Sequence, residues 1–534
     1  MSAIPHTQRA VQLVGPDELR INEAKPVVAP GPHQILVRVE ATGLCFSDLK
    51  LLKQFARHAR KSEIASGIAE SALCEMPNYV PGDKPAVPGH ETVVRIVSAG
   101  ERVKQHAIGG RYLVQTDYRW LPTASSNAAF GYNFEGALQE YVLMDERVIV
   151  SPEGESMLIP VPEDLSASAI ALVEPWACVE DAYAETQRRR LKDGGRLLAV
   201  SEAPIDEGPL ANLAGVPALV KLTTPDRLAE VEDGAFDDIV YFGSAPEAAE
   251  TLFAKLAAGG LINFVCCGGR FGRPVVAPVG RIHYGGIRIT GSKGGNPEDG
   301  MAAIPANAEI RTGDRVNIVG AAGPMGSMHV VRILSEGIGN VKVFAGDLSA
   351  ERLKVLRRLA EPLARQNRID LTVYDASQAP PVGPFDYIVL MVPVAGLIPQ
   401  AIASANEHAI INIFAGIPAE TKAAIDLDSC IDKQLYFVGT SGSVLADMKR
   451  VLAKVVSRQL DTNLLVAAVS GLDGAIDGIR AVEKNLMPGK ILVYPSARGL
   501  ALKTLGELGA DVPLENGRWN RRSEDALLRL YGGS

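Results

Sequence analysis

The 534-residue chain reads as an α/β protein: a β-rich domain followed by two successive units of alternating strands and helices. Three observations lead there. From Gln12 to Val39 short strands are separated by Pro and Gly, and Gln34-Ile35-Leu36-Val37-Arg38-Val39-Glu40 alternates apolar and polar residues with the period of a half-buried strand. Strand-length apolar runs then alternate with helical stretches between Gly194 and Gly295, and again from Arg311 onward, the pattern of parallel sheets. Only the second of these units opens on a complete glycine-rich turn, Gly320-Ala321-Ala322-Gly323-Pro324-Met325-Gly326.

Length and composition agree with two or three globular domains, since 47% of residues are hydrophobic and 22% charged. A net charge of −8 disfavours nucleic acid and anionic membranes as partners and leaves small molecules. The N-terminal segment has no apolar run of signal-peptide type, and the longest apolar stretch, near Ile388 to Ala403, is broken by Pro393 and Pro399, so a soluble cytoplasmic protein is expected. The six cysteines share no paired spacing and are expected to be reduced.

Chemistry concentrates in Pro88-Gly89-His90-Glu91, read with Cys45 before it and Glu174 after it. A thiolate, an imidazole and carboxylates are the ligand types zinc takes, and a catalytic site needs three of them with one position open. Cys45 stands in Gly43-Leu44-Cys45-Phe46-Ser47-Asp48, where Ser47 is placed to pass a proton and Asp48 to orient the histidine. His90 follows Cys45 by 45 positions, and the intervening segment includes Lys53, Arg57, His58, Arg60 and Lys61. Two readings stand for this group: a clamp for a phosphorylated substrate, or a solvated helix face.

After the metal residues, Thr92 to Val97, Gly109 to Val114 and Gly136 to Leu143 read as strands and Ser166 to Ala184 as a helix. The first repeat unit follows as strands at Arg196 to Val200, Ala218 to Leu222, Asp238 to Phe242, Leu261 to Cys266 and Ile287 to Thr290, with a helix at Pro246 to Ala258. Its opening strand leads into Ser201-Glu202-Ala203-Pro204-Ile205-Asp206-Glu207-Gly208, which sets carboxylates where a pyrophosphate needs bare backbone N–H groups. The second unit is complete. Arg315 to Val319 is a buried strand, Ser327 to Glu336 opens a helix, and the next strand, Val341 to Gly346, ends at Asp347, 21 residues beyond Gly326. Glycines admit the pyrophosphate, and an acid at Asp347 binds ribose hydroxyls and repels a 2′-phosphate, which favours NAD over NADP. Strands at Leu371 to Tyr374, Tyr387 to Met391, Ala409 to Phe414 and Leu435 to Gly439 complete this sheet, and Ser443 to Arg458 reads as an amphipathic helix. The cofactor-binding candidates are Gly320, Gly323, Pro324, Met325, Gly326, Asp347, Arg352, Val392 and Phe414.

The segments GLCFSD, PGHE and VEPWACV, in that order, resemble the catalytic-zinc signature of the medium-chain dehydrogenases, most closely their sorbitol dehydrogenase-like polyol branch. The resemblance implies a GroES-like catalytic domain over 1–185 and 461–496, a degenerate Rossmann-like unit over 186–300, an NAD-binding Rossmann domain over 301–460 and an extension over 497–534 without assigned chemistry. It implies zinc held by Cys45, His90 and Glu174, with Glu91 as a fourth or exchanging ligand, and hydride transfer between NAD and a secondary alcohol of a polyol, sugar or sugar phosphate. Ser47 would carry the proton outward. Many relatives hold a second, structural zinc with four close cysteines; none occurs between Arg111 and Tyr141, so that zinc is expected to be absent. Relatives pair Rossmann sheets between subunits, which implies a dimer or tetramer, and the degenerate unit is expected to cover that sheet edge within the chain. Two other readings remain: tightly bound NAD serving transient oxidation in epimerisation or bond cleavage, and a non-catalytic nucleotide sensor.

Overall fold

The computed structural model describes residues 4–532 except 204–207, 441 and 510. They form two compact units, 1–177 with 444–534, and 178–443. The first is built around the strand Gln34–Gly43, which is buried over nearly its whole length. Glu91–Ala99 pairs antiparallel along one edge of it. The other edge is shared: Tyr141–Asp145 pairs with its first half, and Lys490–Val493 with its end. The full order in this eight-stranded sheet is Lys503–Thr504, Val466–Ser470, Lys490–Val493, Gln34–Gly43, Glu91–Ala99, Arg111–Val114 and Leu158–Pro160, with Tyr141–Asp145 off that path. A β-rich domain completed by a late segment of the chain is thus present.

The helix expected from Ser166 to Ala184 is two helices, Ala167–Ala171 and Val173–Ala184, the first capped by Ser166 Oγ, which accepts from Ala169 N. The C-terminal extension is part of the same unit. Trp519, 1% exposed, donates from Nε1 to Ser168 Oγ at 3.2 Å and to Tyr494 Oη at 3.1 Å. Glu524 accepts from Ala167 N and Ser168 N at 2.6 and 2.8 Å, so a buried carboxylate holds the start of the helical pair that carries Glu174.

The second unit contains two all-parallel sheets. One has the order Leu219–Thr223, Arg196–Ser201, Phe236–Phe242, Leu256–Val265, Arg288–Ser292; the other has Asp370–Asp375, Lys342–Asp347, Arg315–Val319, Phe385–Leu390, Ala405–Ile413, Tyr436–Val438. In the first sheet the opening strand is flanked by the second and the third, in the other by the second and the fourth; either way the strand order reverses at the opening strand, as in a doubly wound sheet. The expected strands of both units are present, and the helix expected to Ala258 stops at Lys255, where the strand Leu256–Val265 begins. The carboxylates Asp206 and Glu207, expected to obstruct a pyrophosphate, lie outside the described residues; Glu202 is described. The two sheets adjoin. Val275–Ala277 pairs antiparallel with Ala423–Ile425, His283 Nδ1 lies 3.2 Å from Ile413 O, Arg288 donates to Gly439 O at 3.3 Å, and one apolar core runs through both. Among the described residues no helix is long and apolar enough to cross a membrane.

Candidate metal centre and nucleotide turn

Among the described residues, one group of donors could hold a metal ion: Cys45, His90 and Glu91, with one ligand atom from each within 4.8 Å of the others. Backbone pairing brings them together. Gly43 opposes Glu91 across one edge of the central strand and Leu492 across the other, so the turn carrying Cys45, the PGHE segment and Lys490 converge at that strand's end. Glycine at 43 leaves room for the Glu91 carboxylate, since a Cβ there would stand 2.0 Å from Glu91 Oε2 and would push it aside. Asp48 orders the centre as its position after Cys45 suggested: Oδ2 accepts from Cys45 N at 3.1 Å, and Oδ1 lies 3.1 Å from His90 Nδ1. With Nδ1–H donated to Asp48, Nε2 offers its lone pair; Ser47 Oγ stands 3.2 Å from it.

Two features of the site fit a cation. Glu91 Oε2 is buried with no hydrogen-bond partner, a costly state for a carboxylate oxygen. Burial opposes a charge on His90, yet Asp48, with Tyr132 and Cys45, holds the imidazole well above the usual histidine pKa, so the groups around it favour positive charge. Thiolate, imidazole and carboxylate are donors zinc accepts.

Glu174 is placed differently from the expectation. Its carboxyl is buried and feels His90, Glu91 and Lys490, but it falls outside the three-donor group. The cause is register: Glu91 follows His90 directly and is fixed opposite Gly43, whereas Glu174 arrives from a separate helix. Burial pushes its pKa up to about 7; Glu91 and Asp117 add to the effect, while His90 and Lys490 oppose it. Glu91, expected as the exchanging ligand, is the one grouped with Cys45 and His90.

Two residues of the site were missed in the sequence. Lys490, fully buried, donates to Glu91 Oε1 at 2.5 Å and to Leu44 O at 2.9 Å; burial depresses its charge, but Glu91, Cys45 and Glu174 outweigh it and hold the ammonium above its usual pKa. A lysine leading an apolar strand, in Gly489-Lys490-Ile491-Leu492-Val493, was the available signal. Tyr132, 3% exposed, packs its ring 5.8 Å from that of His90 and hydrogen-bonds Ser47; nothing in its local sequence marks it. The four cations and His58 of the insertion do not gather into a clamp. Lys53 pairs with Glu483, Lys61 donates to Val80 O and Lys84 O, Arg60 pairs with Asp117, and Arg57 is exposed.

In the second unit the strand Arg315–Val319 runs into the glycine turn and the helix Pro324–Ser335, with Gly323 at the cap and Pro324 and Met325 as its first residues. Gly320 has φ +84°, and a Cβ on Gly326 would lie 2.3 Å from Gly320 O, so the helix can start against the turn only without side chains. A Cβ on Gly323 would meet no atom closer than 4.0 Å, which leaves the mouth of the turn open for a ligand. Asp347 ends its strand and accepts from Ala322 N at 3.1 Å and Ser349 N at 3.0 Å; Arg352 lies in the first turn of the helix Ala350–Asn367. Val392 packs where a Cβ on Gly320 would fall, and Phe414 stands edge-on to His329 with centroids 4.5 Å apart.

This combination defines a class: α/β proteins that pair a zinc-type donor set in a β-rich unit with a dinucleotide-type turn in a doubly wound one. The family description "Alcohol dehydrogenase GroES-like domain" matches residues 31–153. The uncharacterised protein YggP of Escherichia coli K12 is 26% identical over 247 residues, 42% of this chain and 58% of that protein, so the chain spans little more than half of its length. A sorbitol dehydrogenase of Halalkalibacterium halodurans is 24% identical over 194 residues, 34% of this chain and 46% of that protein. Among solved structures, 2R,3R-butanediol dehydrogenase from Bacillus subtilis aligns over 92% of this chain and 100% of its own at 17% identity with a TM-score of 0.55, a likeness of fold. These findings support kinship with the zinc-type alcohol and polyol dehydrogenases of the medium-chain family, whose GroES-like domain matches residues 31–153.

Proposed function

We propose that the protein is a zinc- and NAD-dependent dehydrogenase acting on a secondary alcohol of a polyol, sugar or sugar phosphate. The observation that carries the proposal is the meeting of Cys45, His90 and Glu91 with a buried, unpaired carboxylate oxygen among them. In this reading those three residues hold the ion, Asp48 fixes the imidazole, and Lys490 steadies the far oxygen of Glu91. When bound, zinc supplies a Lewis acid that lowers the alcohol pKa, and the nicotinamide supplies the hydride acceptor. Ser47 accepts the released proton, with Tyr132 hydrogen-bonded to it. Glu174 contributes a further buried carboxyl that interacts with His90, Glu91 and Lys490. Asp347 selects NAD, because its carboxylate repels a 2′-phosphate. The Glu-containing donor set and the likeness to a sorbitol dehydrogenase support the polyol class.

NADH formation on a panel of polyols and sugar phosphates, before and after chelation, tests the proposal together with metal analysis of the purified protein. One zinc per chain and a chelator-sensitive rate are expected. Stoichiometric absence of zinc, or NADH formed at full rate by the metal-free protein, would overturn it.

A further inference from the structure

The insertion between Cys45 and His90 brings to the metal centre a side chain that the centre itself does not use. Arg60 lies on the short helix Ala59–Lys61, fastened to the neighbouring hairpin where Thr123 Oγ1 donates to Ala59 O at 3.0 Å and Ile64 bridges to Thr123. Two groups hold its guanidinium. Asp117, 8% exposed, pairs with Nη1 at 2.6 Å and Nη2 at 3.2 Å, and the Tyr132 ring lies 5.5 Å from Cζ. Asp117 accepts a hydrogen bond from one of the five N–H groups a guanidinium carries, and the Arg60 side chain keeps 27% of its surface exposed.

Its surroundings are those of the metal centre. Tyr132, beneath Arg60, packs on His90 and bonds Ser47, and Arg60 and Glu174 act on each other electrostatically. His58 packs on Tyr132 as well, with centroids 5.1 Å apart, and its Nδ1 accepts from Arg60 N at 3.2 Å, so its proton sits on Nε2 as a further donor. A guanidinium fixed on two sides, with donors to spare and its charge already balanced by a buried carboxylate, suits a neutral hydroxyl. A phosphate would have to compete with Asp117 for it.

We infer that Arg60 is a specificity-determining residue: its remaining N–H groups, with Asp117 as the adjacent acceptor, recognise a hydroxyl of the polyol other than the one oxidised. The inference rests on the dehydrogenase reading. The test compares Arg60→Met and Arg60→Lys with the wild type as zinc-loaded full-length protein with NAD, using sorbitol and 2-butanol. Loss of a charge-assisted hydrogen bond lowers kcat/KM for sorbitol by about 100-fold in Arg60→Met and about 10-fold in Arg60→Lys, while 2-butanol changes by less than about threefold. Zinc content stays at the wild-type value in both variants, and the melting temperature stays there in Arg60→Lys, which keeps a cation beside Asp117. Equal losses on both alcohols, or none on sorbitol, overturn the assignment. So does a wild-type preference for sorbitol 6-phosphate that Arg60→Met removes, since Arg60 would then hold an anion. If the wild type oxidises neither alcohol, the dehydrogenase reading fails by itself, and calorimetric titration with sorbitol still decides the role of Arg60. Binding lost in Arg60→Met supports it, and equal or absent binding overturns it.

Discussion

The two parallel sheets of the second unit are both doubly wound and differ in what covers them. In the complete sheet the first strand is followed by the 12-residue helix Pro324–Ser335 and the second by the 18-residue helix Ala350–Asn367. In the other sheet the same positions hold the four-residue helix Gly208–Ala211 and the short 3-10 segment Pro225–Glu230. Its second strand pays in exposure, with Leu219 and Val220 at 45% and 50%. The mouths differ too. At Gly323 the complete sheet is open, whereas Glu202 of the reduced sheet turns onto the chain after the third strand, accepting from Ser244 N at 3.1 Å, Ala245 N at 2.9 Å and the Tyr241 hydroxyl. A doubly wound sheet therefore survives the loss of two crossover helices when its last strands are buried against a neighbour. What it loses is the ready-made anion seat.

If this contrast is real, one change should silence the nucleotide turn without unfolding it. Gly323 has an extended backbone, φ −76° and ψ 167°, that any residue adopts, and a Cβ there meets nothing within 4.0 Å. Gly323→Val is expected to weaken NAD binding by about 100-fold, because the side chain fills the approach of the pyrophosphate to the backbone, while the melting temperature stays within a few degrees. Titration calorimetry beside a thermal melt checks both. Unchanged affinity would mean that the dinucleotide does not use this turn.

Acid should single out the complete sheet. His329, on the helix Pro324–Ser335, is fully buried; its Nδ1 accepts from the Tyr183 hydroxyl at 2.6 Å and its Nε2 has no partner. Burial, helped by Arg332, pulls its pKa from 6.5 to about 3. The facing charges are Arg332 on the same helix, itself paired with Glu180 and Glu309, so no carboxylate is free to stabilise an imidazolium. The unfolded chain binds the proton below pH 6.5 and the folded one only near pH 3, so this stability is present above pH 6.5 and falls away between those values. The cost at pH 5 is about 2 kcal/mol. Denaturant melts at pH 7 and 5 should show that loss in the wild type and much less of it in His329→Gln.

The sequence exposed the strands of both sheets because apolar runs with β-branched residues, as in Arg315–Val319, carry their own signal. It hid the Ala350–Asn367 helix, whose sequence AERLKVLRRLAEPLARQN is dominated by charge and interrupted by Pro362, although Leu353, Leu356 and Leu359 form its buried stripe. Cys45, His90 and Glu91 were legible because ligand chemistry is written in residue type. Lys490 lies 399 residues from Glu91, and only the pairing of Lys490–Val493 with the central strand joins them. The order of the two glutamates depends on register, which residue type does not encode.

A smaller effect sharpens the cofactor side. Asp347→Ser removes the carboxylate that repels a 2′-phosphate while keeping an acceptor for the turn, so the ratio of NAD to NADP affinity should fall by about tenfold, with total nucleotide stoichiometry unchanged.

The least change is expected at Glu202, and it bears most directly on the reduced sheet. Glu202→Gln keeps a carbonyl oxygen for Ser244 N and Ala245 N and loses only the charge of an exposed group, which costs about 1 kcal/mol or less. NAD should still bind once per chain, because removing the charge does not lengthen the four-residue helix Gly208–Ala211 that follows the first strand. Equilibrium dialysis that found a second nucleotide bound by Glu202→Gln would show that one carboxylate closes the site, and that the reduced sheet has kept the rest of the machinery.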